Sequence, residues 1–322
     1  MSTATFFTPV QAGIQLVEER MRAQADLESH PDLHAALDQL IAAGGKRVRP
    51  TIVLLAGNML GADQDKLVTL GAALEMLHTA TLVHDDLIDS ALLRRGMPTL
   101  NSKWSPAATV LTGDFLFARA ARLASEIDNL LLMQRFAETL AIIVNGELNQ
   151  LFTARGLISR QNYYNRIYAK TASLFEMAGL SAGMVSTQDA SVQAALKTYG
   201  YEAGMAFQIV DDVLDFSGEQ EIVGKPLGSD LLQGLVTLPA IYYSETHPDD
   251  PDVKALQQGD WQDGARMLRL VESIRRSDAV SQALQEATEY VERALQALVT
   301  FPIGVEREAL ADLARYVIDR TI

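Results

Sequence analysis

Cysteine is absent from this chain of 322 residues. Without it the protein has no disulfide framework and no thiolate metal site. The absence suits a reducing compartment, so we expect a cytoplasmic protein.

Basic residues are scarce. The 27 lysines and arginines stand against 41 aspartates and glutamates, which gives a formal net charge of −14. Surfaces that bind nucleic acid need a dense basic face to displace counterions. The charge balance therefore argues against nucleic acid as a partner, although a few arginines around a pocket would still bind a small diphosphate.

Long apolar runs are missing as well. No uninterrupted stretch approaches the ~18 residues of a membrane span, and the N-terminal MSTATFFTPVQAG lacks a basic region followed by an apolar one. We therefore predict no transmembrane segment. Since 48% of the residues are hydrophobic, the chain can bury a large core, and we predict a single domain over residues 1–322.

Strand-type alternation is scarce, whereas apolar residues recur at helical spacing almost everywhere. This pattern predicts an all-α protein, a bundle of roughly ten or more helices. Polar connectors are predicted around residues 90–106, 217–230 and 244–264.

The sequence does contain Asp-Asp-x-x-Asp twice, in HDDLID (residues 84–89) and VDDVLD (residues 210–215). Each copy ends a segment of helical apolar spacing, over residues 70–88 and 196–214. Carboxylates near a helix C-terminus meet the negative end of the macrodipole, so a positive partner is expected. One copy in so acidic a chain is best interpreted as a solvated helix end, but two copies on apolar helices favour a function.

Divalent cations are the simplest candidate for this positive partner. Asp85 and Asp89 are one helical turn apart on the same side, so both can reach one ion. Oxygen ligands favour Mg²⁺ over Zn²⁺. Because Mg²⁺ commonly bridges carboxylates to substrate phosphates, two such clusters facing each other across a cavity would hold a diphosphate.

Three basic clusters could complete a diphosphate site. They are GGKRVRP with Lys46 and Arg49, Arg94-Arg95-Gly96 just after the first aspartate motif, and Lys170-Thr171 together with Lys225. Taken singly, each has an ordinary alternative: a basic helix start, a solvated loop, or solvated surface lysines. Residue chemistry alone leaves these alternatives open.

Read together, seven segments resemble the successive motifs of the trans-isoprenyl diphosphate synthase family, and they occur in the family's order. They are GGKRVRP, HTATLVHDDLIDSALLRRGMPT, GDFLFARA, NGELNQ, YAKTASLF, FQIVDDVLDF and GKPLGSDLLQG, between about residue 40 and residue 240. The resemblance implies an all-α fold with a deep central cavity, usually in a homodimer. It also implies an enzyme that condenses isopentenyl diphosphate with an allylic diphosphate.

The resemblance assigns roles residue by residue. The implied contacts to isopentenyl diphosphate are Lys46, Arg49, His78 and Arg95. The implied metal ligands are Asp85, Asp86, Asp89, Asp211, Asp212 and Asp215, holding three Mg²⁺ ions once diphosphate is bound. Arg94 and Lys225 resemble allylic diphosphate contacts, and Lys170, Thr171 and Gln208 resemble residues beside the reacting carbon. The catalytic set so implied is Asp85, Asp86, Asp89, Arg94, Lys170, Thr171, Gln208 and Asp211.

One position departs from the family pattern. Leu235 stands where many members carry a lysine after the glycine that ends GKPLGSDLLQG. The departure puts one auxiliary phosphate contact in doubt.

Product length is predicted from the residues before the first aspartate motif. The family's length gate corresponds to Thr81 and Ala80, which are small here, with Leu77 further down as a wall. An open gate predicts a product longer than C15, with a polyprenyl diphosphate favoured over the alternative of a geranylgeranyl or farnesyl diphosphate.

Other classes remain as remote alternatives. Terpene cyclases and head-to-head synthases share the acidic motifs but need no isopentenyl diphosphate site, whose residues are present here. A noncatalytic regulatory subunit tends to lose an aspartate motif, and this chain retains both.

Overall fold

The computed structural model describes residues 5–25, 31–42, 45–94, 96–152, 156, 158–217 and 227–320. Helices dominate these residues, which confirms the predicted all-α class. The helices are α1 (Gln11–Arg22), α2 (Pro31–Ala42), α3 (Val48–Met59), α4 (Gln64–Ile88), α5 (Pro106–Glu126), α6 (Leu130–Phe152), α7 (Arg160–Ile167), α8 (Ser173–Ser186), α9 (Ala190–Ser217), α10 (Ser229–Leu232), α11 (Leu238–Thr246), α12 (Pro251–Gln257), α13 (Gly264–Arg276), α14 (Ala279–Ala297) and α15 (Val305–Asp319).

Shorter elements complete the described chain. Two 3₁₀ turns cover Thr5–Val10 and Leu100–Ser102, and a π turn covers Tyr168–Ala172. The strands among the described residues are β1 (Leu93–Arg94) and β2 (Met97–Pro98), an antiparallel hairpin that pairs Leu93 with Pro98 and Arg94 with Met97.

Backbone contacts divide the chain into two compact units. Unit 1 comprises Met1–Thr139, Leu174–Gly200 and Leu298–Asp312, and unit 2 comprises Leu140–Ser173, Tyr201–Ala297 and Leu313–Ile322. Compact units need not be separate domains, so the single domain over residues 1–322 stays a prediction.

In unit 1, α4 is the central helix of the hydrophobic core. The Asp63 side chain caps its first turn by accepting hydrogen bonds from the backbone amides of Asp65 and Lys66. Every residue from Leu67 to Leu77 is buried, and α4 packs against α1, α3 and α5. The helix predicted over residues 70–88 is confirmed, with a start six residues earlier.

The crossing of α4 and α5 depends on one glycine. A Cβ added at Gly113 would overlap the imidazole ring of His84. The ring of His84 also lies 5.2 Å from the ring of Phe117, and its Nε2 lies 3.1 Å from the carbonyl oxygen of Val110. The histidine that opens HDDLID therefore fixes the last turns of α4 against α5.

In unit 2, α7 leads directly into the π turn at Tyr168–Ala172. The turn lies close to α6, because a Cβ added at Gly146 would overlap the Cβ of Ala169. The helix predicted over residues 196–214 is confirmed as part of the 28-residue α9.

One of the three predicted connectors contains a helix, and another lies partly outside the described residues. Residues 244–264 are not a continuous loop, because α12 begins at Pro251 behind the capping carboxylate of Asp250, a helix start that the prediction missed. In the connector predicted around residues 217–230, residues 218–226 lie outside the described residues.

By length and composition alone, α4 is apolar enough to cross a membrane, yet 78% of its most apolar window is buried inside the protein. Core helices of soluble proteins meet the same criteria. The prediction of no transmembrane segment stays a prediction.

Candidate active site

The first aspartate motif lies at the C-terminal end of α4, as its sequence pattern predicts. Asp85 is half-buried, Asp86 is buried with 6% exposure, and Asp89 is exposed as the C-cap residue. The backbone amide of Asp89 donates to the carbonyl oxygen of Asp85 at 2.8 Å. All three carboxylates thus belong to the end where the helix dipole is negative.

Arg94 joins this motif through the hairpin that follows α4. Its Nε donates to Oδ1 of Asp86 at 2.8 Å. Both side chains line a cavity of about 60 Å³ together with His78 and Thr79. The structure therefore brings together three predicted site residues, His78, Asp86 and Arg94, within unit 1.

The basic segment before α3 presents its side chains differently. Lys46 is exposed, whereas Arg49 is 9% exposed, with its guanidinium 5.0 Å from the ring centroid of Phe175. Between them, Arg47 has a left-handed backbone with φ of 43° and caps α3. An L-residue with a side chain adopts this conformation at a cost, which the surrounding contacts must offset.

Arg47 makes those contacts through a buried ion network. Its Nε lies 2.9 Å from Oε1 of Glu18, its Nη1 lies 3.3 Å from Oε1 of Glu75, and its Nη2 donates to the carbonyl oxygen of Ile41 at 2.7 Å. Glu75 is one turn before His78 on α4. The network thus ties the Lys46–Arg49 segment to the helix that carries the first aspartate motif.

The second aspartate motif lies in the last turns of α9, in unit 2. Asp211 is the most exposed of the three, and its Oδ1 pairs with Nη1 of Arg320 at 2.9 Å. Asp215 is buried and accepts hydrogen bonds from the backbone amides of Ser229 and Asp230 and from the Ser229 hydroxyl. Asp215 therefore anchors the start of α10.

Asp212 is buried with 5% exposure and accepts two side-chain hydrogen bonds. The Tyr163 hydroxyl donates to its Oδ2 at 2.8 Å, and Nε2 of Gln208 donates to its Oδ1 at 2.9 Å. Burial, with a smaller contribution from the charge of Asp230, raises the pKa of Asp212 to about 7. The two donors offset part of the cost of a buried charge.

Lys170 and Thr171 lie in the π turn, a backbone irregularity that often marks functional sites. The Thr171 hydroxyl donates to Oε1 of Gln208 at 2.7 Å, and Nζ of Lys170 lies 3.7 Å from Oε1 of Glu147. The structure thus brings together Thr171 and Gln208, which were predicted to lie beside the reacting carbon, and Asp212, which was predicted as a metal ligand.

The residues predicted to govern product length lie on α4. Leu77 and Ala80 are fully buried, and Thr81 is half-buried with its hydroxyl donating to the carbonyl oxygen of His78. Their role in product length stays a prediction.

The remaining predicted or unusual positions are Arg95, Lys225 and Leu235. Arg95 and Lys225 lie outside the described residues. Leu235 follows α10, half-buried, and its backbone amide donates to the carbonyl oxygen of Asp230. Its aliphatic side chain can donate no hydrogen bond to a phosphate.

The donor sets suit Mg²⁺. Both motifs offer carboxylate oxygens, the ligands that hard cations prefer. Among the described residues, no group of three aspartate, glutamate or histidine side chains is arranged to hold an ion alone. Mg²⁺ in proteins commonly keeps waters and takes substrate oxygens as further ligands. That the two motifs face each other across one cavity stays a prediction.

Several residues that hold this site together have no local sequence signal. Arg47, Tyr163, Glu75 and Arg320 contact predicted site residues or the segments that carry them. Each of these contacts joins residues that are 28 to 109 positions apart in the sequence, so no local sequence pattern reveals the pairing.

The chain is similar to several known proteins over most of its length. A family model described as polyprenyl synthetase matches residues 30–274. Component 2 of the heptaprenyl diphosphate synthase of Geobacillus stearothermophilus is 36% identical over 98% of each chain. The octaprenyl diphosphate synthase of Escherichia coli is 35% identical over 87% of this chain and 88% of the relative.

A solved structure is also similar over nearly the whole chain. It is a polyprenyl synthase from Caulobacter crescentus in complex with calcium and isoprenyl diphosphate, with a TM-score of 0.89, 35% identity, and coverage of 98% of this chain and 97% of the other. Identity at this level over nearly the full length supports a shared activity as well as a shared fold.

Proposed function

Because the chain belongs to the polyprenyl synthetase family, we propose that it extends an allylic diphosphate with isopentenyl diphosphate to form a trans-polyprenyl diphosphate. The observation that carries the proposal is the pair of Asp-Asp-x-x-Asp motifs, each ending a long helix. A protein that only used these helices for packing would have no reason to place carboxylates at both negative helix ends.

Mg²⁺ is the proposed cofactor. The side chains that would hold it are Asp85 and Asp89 on α4 and Asp211 on α9. The similar polyprenyl synthase from Caulobacter crescentus has been solved in complex with calcium and isoprenyl diphosphate, which supports a divalent cation as cofactor. When bound, the ions would neutralise charge on the allylic diphosphate and so make it a better leaving group.

The reaction proposed here transfers a prenyl group. The allylic C–O bond breaks, and its electron pair leaves with the diphosphate. The double bond of isopentenyl diphosphate supplies the pair for the new C–C bond, and a proton is lost to the released diphosphate, which restores an allylic double bond. Arg94 is proposed to neutralise the diphosphate, and the ion pair of its guanidinium with Asp86 of the first motif supports this role.

Residues of the chain would also stabilise the positive charge that develops on the allylic carbon. Thr171 and Gln208 hold each other at 2.7 Å in the π turn region, which keeps their oxygen dipoles oriented before the reaction begins. Thr171 is buried and Gln208 is half-buried, and a site shielded from water would protect the developing cation from being quenched.

Isopentenyl diphosphate is proposed to bind to Lys46, Arg49 and His78. Arg49 and His78 belong to elements that pack against each other in unit 1, α3 and α4. The buried guanidinium of Arg49, restrained by the Phe175 ring, is a preorganised diphosphate donor.

The product is proposed to exceed C15. Relatives named octaprenyl and heptaprenyl diphosphate synthases support this length, and the small, buried Ala80 is consistent with it. A farnesyl or geranylgeranyl product is not favoured.

The test is turnover by the purified chain with Mg²⁺, isopentenyl diphosphate and each short allylic primer, with product length read by reversed-phase chromatography. We expect products longer than C15 and loss of activity when EDTA removes the metal. Farnesyl diphosphate as the dominant product under excess isopentenyl diphosphate would contradict the proposed length.

The metal assignment has its own matched pair of variants. Asp85→Ala should abolish turnover, because it removes a proposed ligand. Asp32→Ala, an exposed aspartate in the first turn of α2, should leave turnover unchanged. Full activity of Asp85→Ala would refute the assignment.

We further propose that the protein is a homodimer joined through α6. Exposed residues of this helix follow a 4-3-4-3 spacing, the seam of a coiled coil; they are Ala137, Ala141, Val144, Leu148 and Leu151. Phe152 ends the stripe at 83% exposure. Light scattering after size exclusion should give twice the chain mass for the native protein and a monomer for Leu148→Glu.

A heteromeric assembly is the competing arrangement, because one relative is named component 2 of its synthase. If the purified chain turned over only after a second protein was added, the homodimer proposal would fail. A cytoplasmic location stays a prediction.

A further inference from the structure

We propose that Tyr163 is a positioning residue for the prenyl transfer, acting through Asp212 and Gln208 on Thr171. The inference rests on the proposed function and concerns a residue in none of the motifs. Tyr163 is 1% exposed in α7. Its hydroxyl is the first donor in a chain of hydrogen bonds that ends at the π turn.

Each link of this chain has short, direct geometry. The Tyr163 hydroxyl lies 2.8 Å from Oδ2 of Asp212, Nε2 of Gln208 lies 2.9 Å from Oδ1 of Asp212, and the Thr171 hydroxyl lies 2.7 Å from Oε1 of Gln208. These contacts fix the Gln208 amide in one orientation, because its Nε2 donates to Asp212 and its Oε1 accepts from Thr171.

The two ends of the chain attach to one continuous run of helix. Tyr163 precedes the π turn by five residues, and Thr171 lies inside it. Gln208 and Asp212 are one turn apart on the same face of α9. Asp212 therefore holds α7 before the π turn through Tyr163, and Gln208, one turn earlier on α9, holds the π turn itself through Thr171.

The π turn needs such support. A π-helical turn is rare and persists only where its surroundings favour it over the ordinary α-helix. Close packing supports it at Ala169, against Gly146, whereas Thr171 is held through polar contacts. Without Tyr163, Asp212 would lose one of its two donors and could rotate, and Gln208 would lose its fixed orientation.

A hydroxyl that merely satisfies a buried carboxylate would affect stability alone. Tyr164 supplies a comparison within the same helix: it is half-buried, and its hydroxyl donates to Oε1 of the half-buried Glu286 at 2.6 Å, away from the proposed chain of hydrogen bonds. Both Tyr163→Phe and Tyr164→Phe remove one hydroxyl that donates to a carboxylate and retain the ring. Their difference isolates the positioning role.

The experiment measures steady-state kinetics of native enzyme, Tyr163→Phe and Tyr164→Phe, with Mg²⁺, isopentenyl diphosphate and an allylic primer. We expect Tyr163→Phe to lower kcat about tenfold or more, with KM for isopentenyl diphosphate within about twofold of native. Tyr164→Phe should keep native kcat. Equal kcat values for the two variants would overturn the proposal.

A second measurement does not depend on activity. Amide hydrogen exchange in the peptide over residues 165–175 should be faster in Tyr163→Phe than in Tyr164→Phe, because the π turn loses a restraint. Equal exchange in the two variants would also overturn the proposal.

A double-variant cycle of Tyr163 and Thr171 provides the third test. Thr171→Val removes the other end of the chain, and Tyr163 and Thr171 share no direct hydrogen bond. If the two act through one chain, the double variant should lose little more kcat than the worse single variant. Additive losses of kcat in the double variant would refute the proposal that the two residues act through one chain of hydrogen bonds. Should Tyr163→Phe fail to fold, amide exchange over residues 160–167 in Thr171→Val tests the same coupling from the other end, and exchange equal to that of the native enzyme would overturn the proposal.

The outcomes separate this inference from the proposed function. Absence of turnover by the native enzyme would reject the proposed function. Native turnover with indistinguishable Tyr163→Phe and Tyr164→Phe would reject the positioning role alone.

Discussion

The buried ion network around Arg47 leads us to predict a large loss of stability when this arginine is replaced. Replacing Arg47 with Met keeps much of the side-chain volume but removes the guanidinium. Glu75, 4% exposed, then loses its cation, and its Oε2 already accepts no hydrogen bond from the described residues. The carbonyl oxygen of Ile41 loses a donor as well. The variant therefore leaves a buried carboxylate uncompensated.

The expected cost follows from that burial. Removing one partner of a buried ion pair costs about 3–5 kcal/mol, so the free energy of unfolding of Arg47→Met should fall by this amount. The left-handed backbone at residue 47 adds nothing to the difference, because Met and Arg meet the same strain there. Glu18 contributes less than Glu75, since it is partly exposed and can be solvated.

A matched control shares one of the same carboxylates. Arg22 lies 3.5 Å from Oε2 of Glu18, but its side chain is 39% exposed. Arg22→Met should cost less than about 1 kcal/mol. Comparing it with Arg47→Met separates burial from the mere loss of an arginine.

The assay is urea unfolding followed by circular dichroism, with thermal midpoints as a check. In the double variant Arg47→Met with Glu75→Gln, the uncompensated charge is gone, so part of the lost stability should return. The reasoning would be refuted if Arg47→Met cost no more than Arg22→Met, or if Glu75→Gln only added to the loss.

Three further predictions concern packing, a buried hydrogen bond and product length. Gly113→Val should lower stability by about 1–3 kcal/mol, because the added side chain overlaps His84; an unchanged thermal midpoint would contradict this. Tyr199→Phe should cost about 1–3 kcal/mol in urea unfolding, since its fully buried hydroxyl donates to the carbonyl oxygen of Leu310 at 2.7 Å; a cost near zero would contradict it. Ala80→Phe should shorten the product by chromatography, because a bulky ring replaces a fully buried methyl group; the native product length would refute the gate assignment.

The elements that carry the aspartates could be predicted because their signals are local. Apolar spacing over residues 70–88 and 196–214 spans several turns, so it outweighs the unfavourable carboxylates at the helix ends. The start of α4 was misplaced, since the Asp63 cap and the charged first turn carry no apolar repeat. The α12 helix was missed because its seven residues are too few to show a period.

The supporting contacts of the site could not be predicted, because each depends on tertiary structure. Tyr163 and Asp212 are 49 positions apart, and Arg320 and Asp211 are 109 apart. A tyrosine in a polar helix gives no sign that its hydroxyl will be fully buried. The π turn at Tyr168–Ala172 likewise has no local sequence signature, since it is held by close packing against Gly146 and by the hydrogen bond that Thr171 donates to Gln208 on α9.

Helix geometry explains why the aspartates of each motif are not equivalent. Positions i and i+4 share a face, whereas position i+1 is turned by roughly 100°. In α4 the turned residue, Asp86, is buried and paired with Arg94, whereas Asp89 is exposed. In α9 the turned residue, Asp212, is likewise buried and held by protein donors. In both helices the second aspartate therefore fixes the neighbouring structure, whereas the first is only half-buried, which is what the proposed binding of a cation and a diphosphate requires.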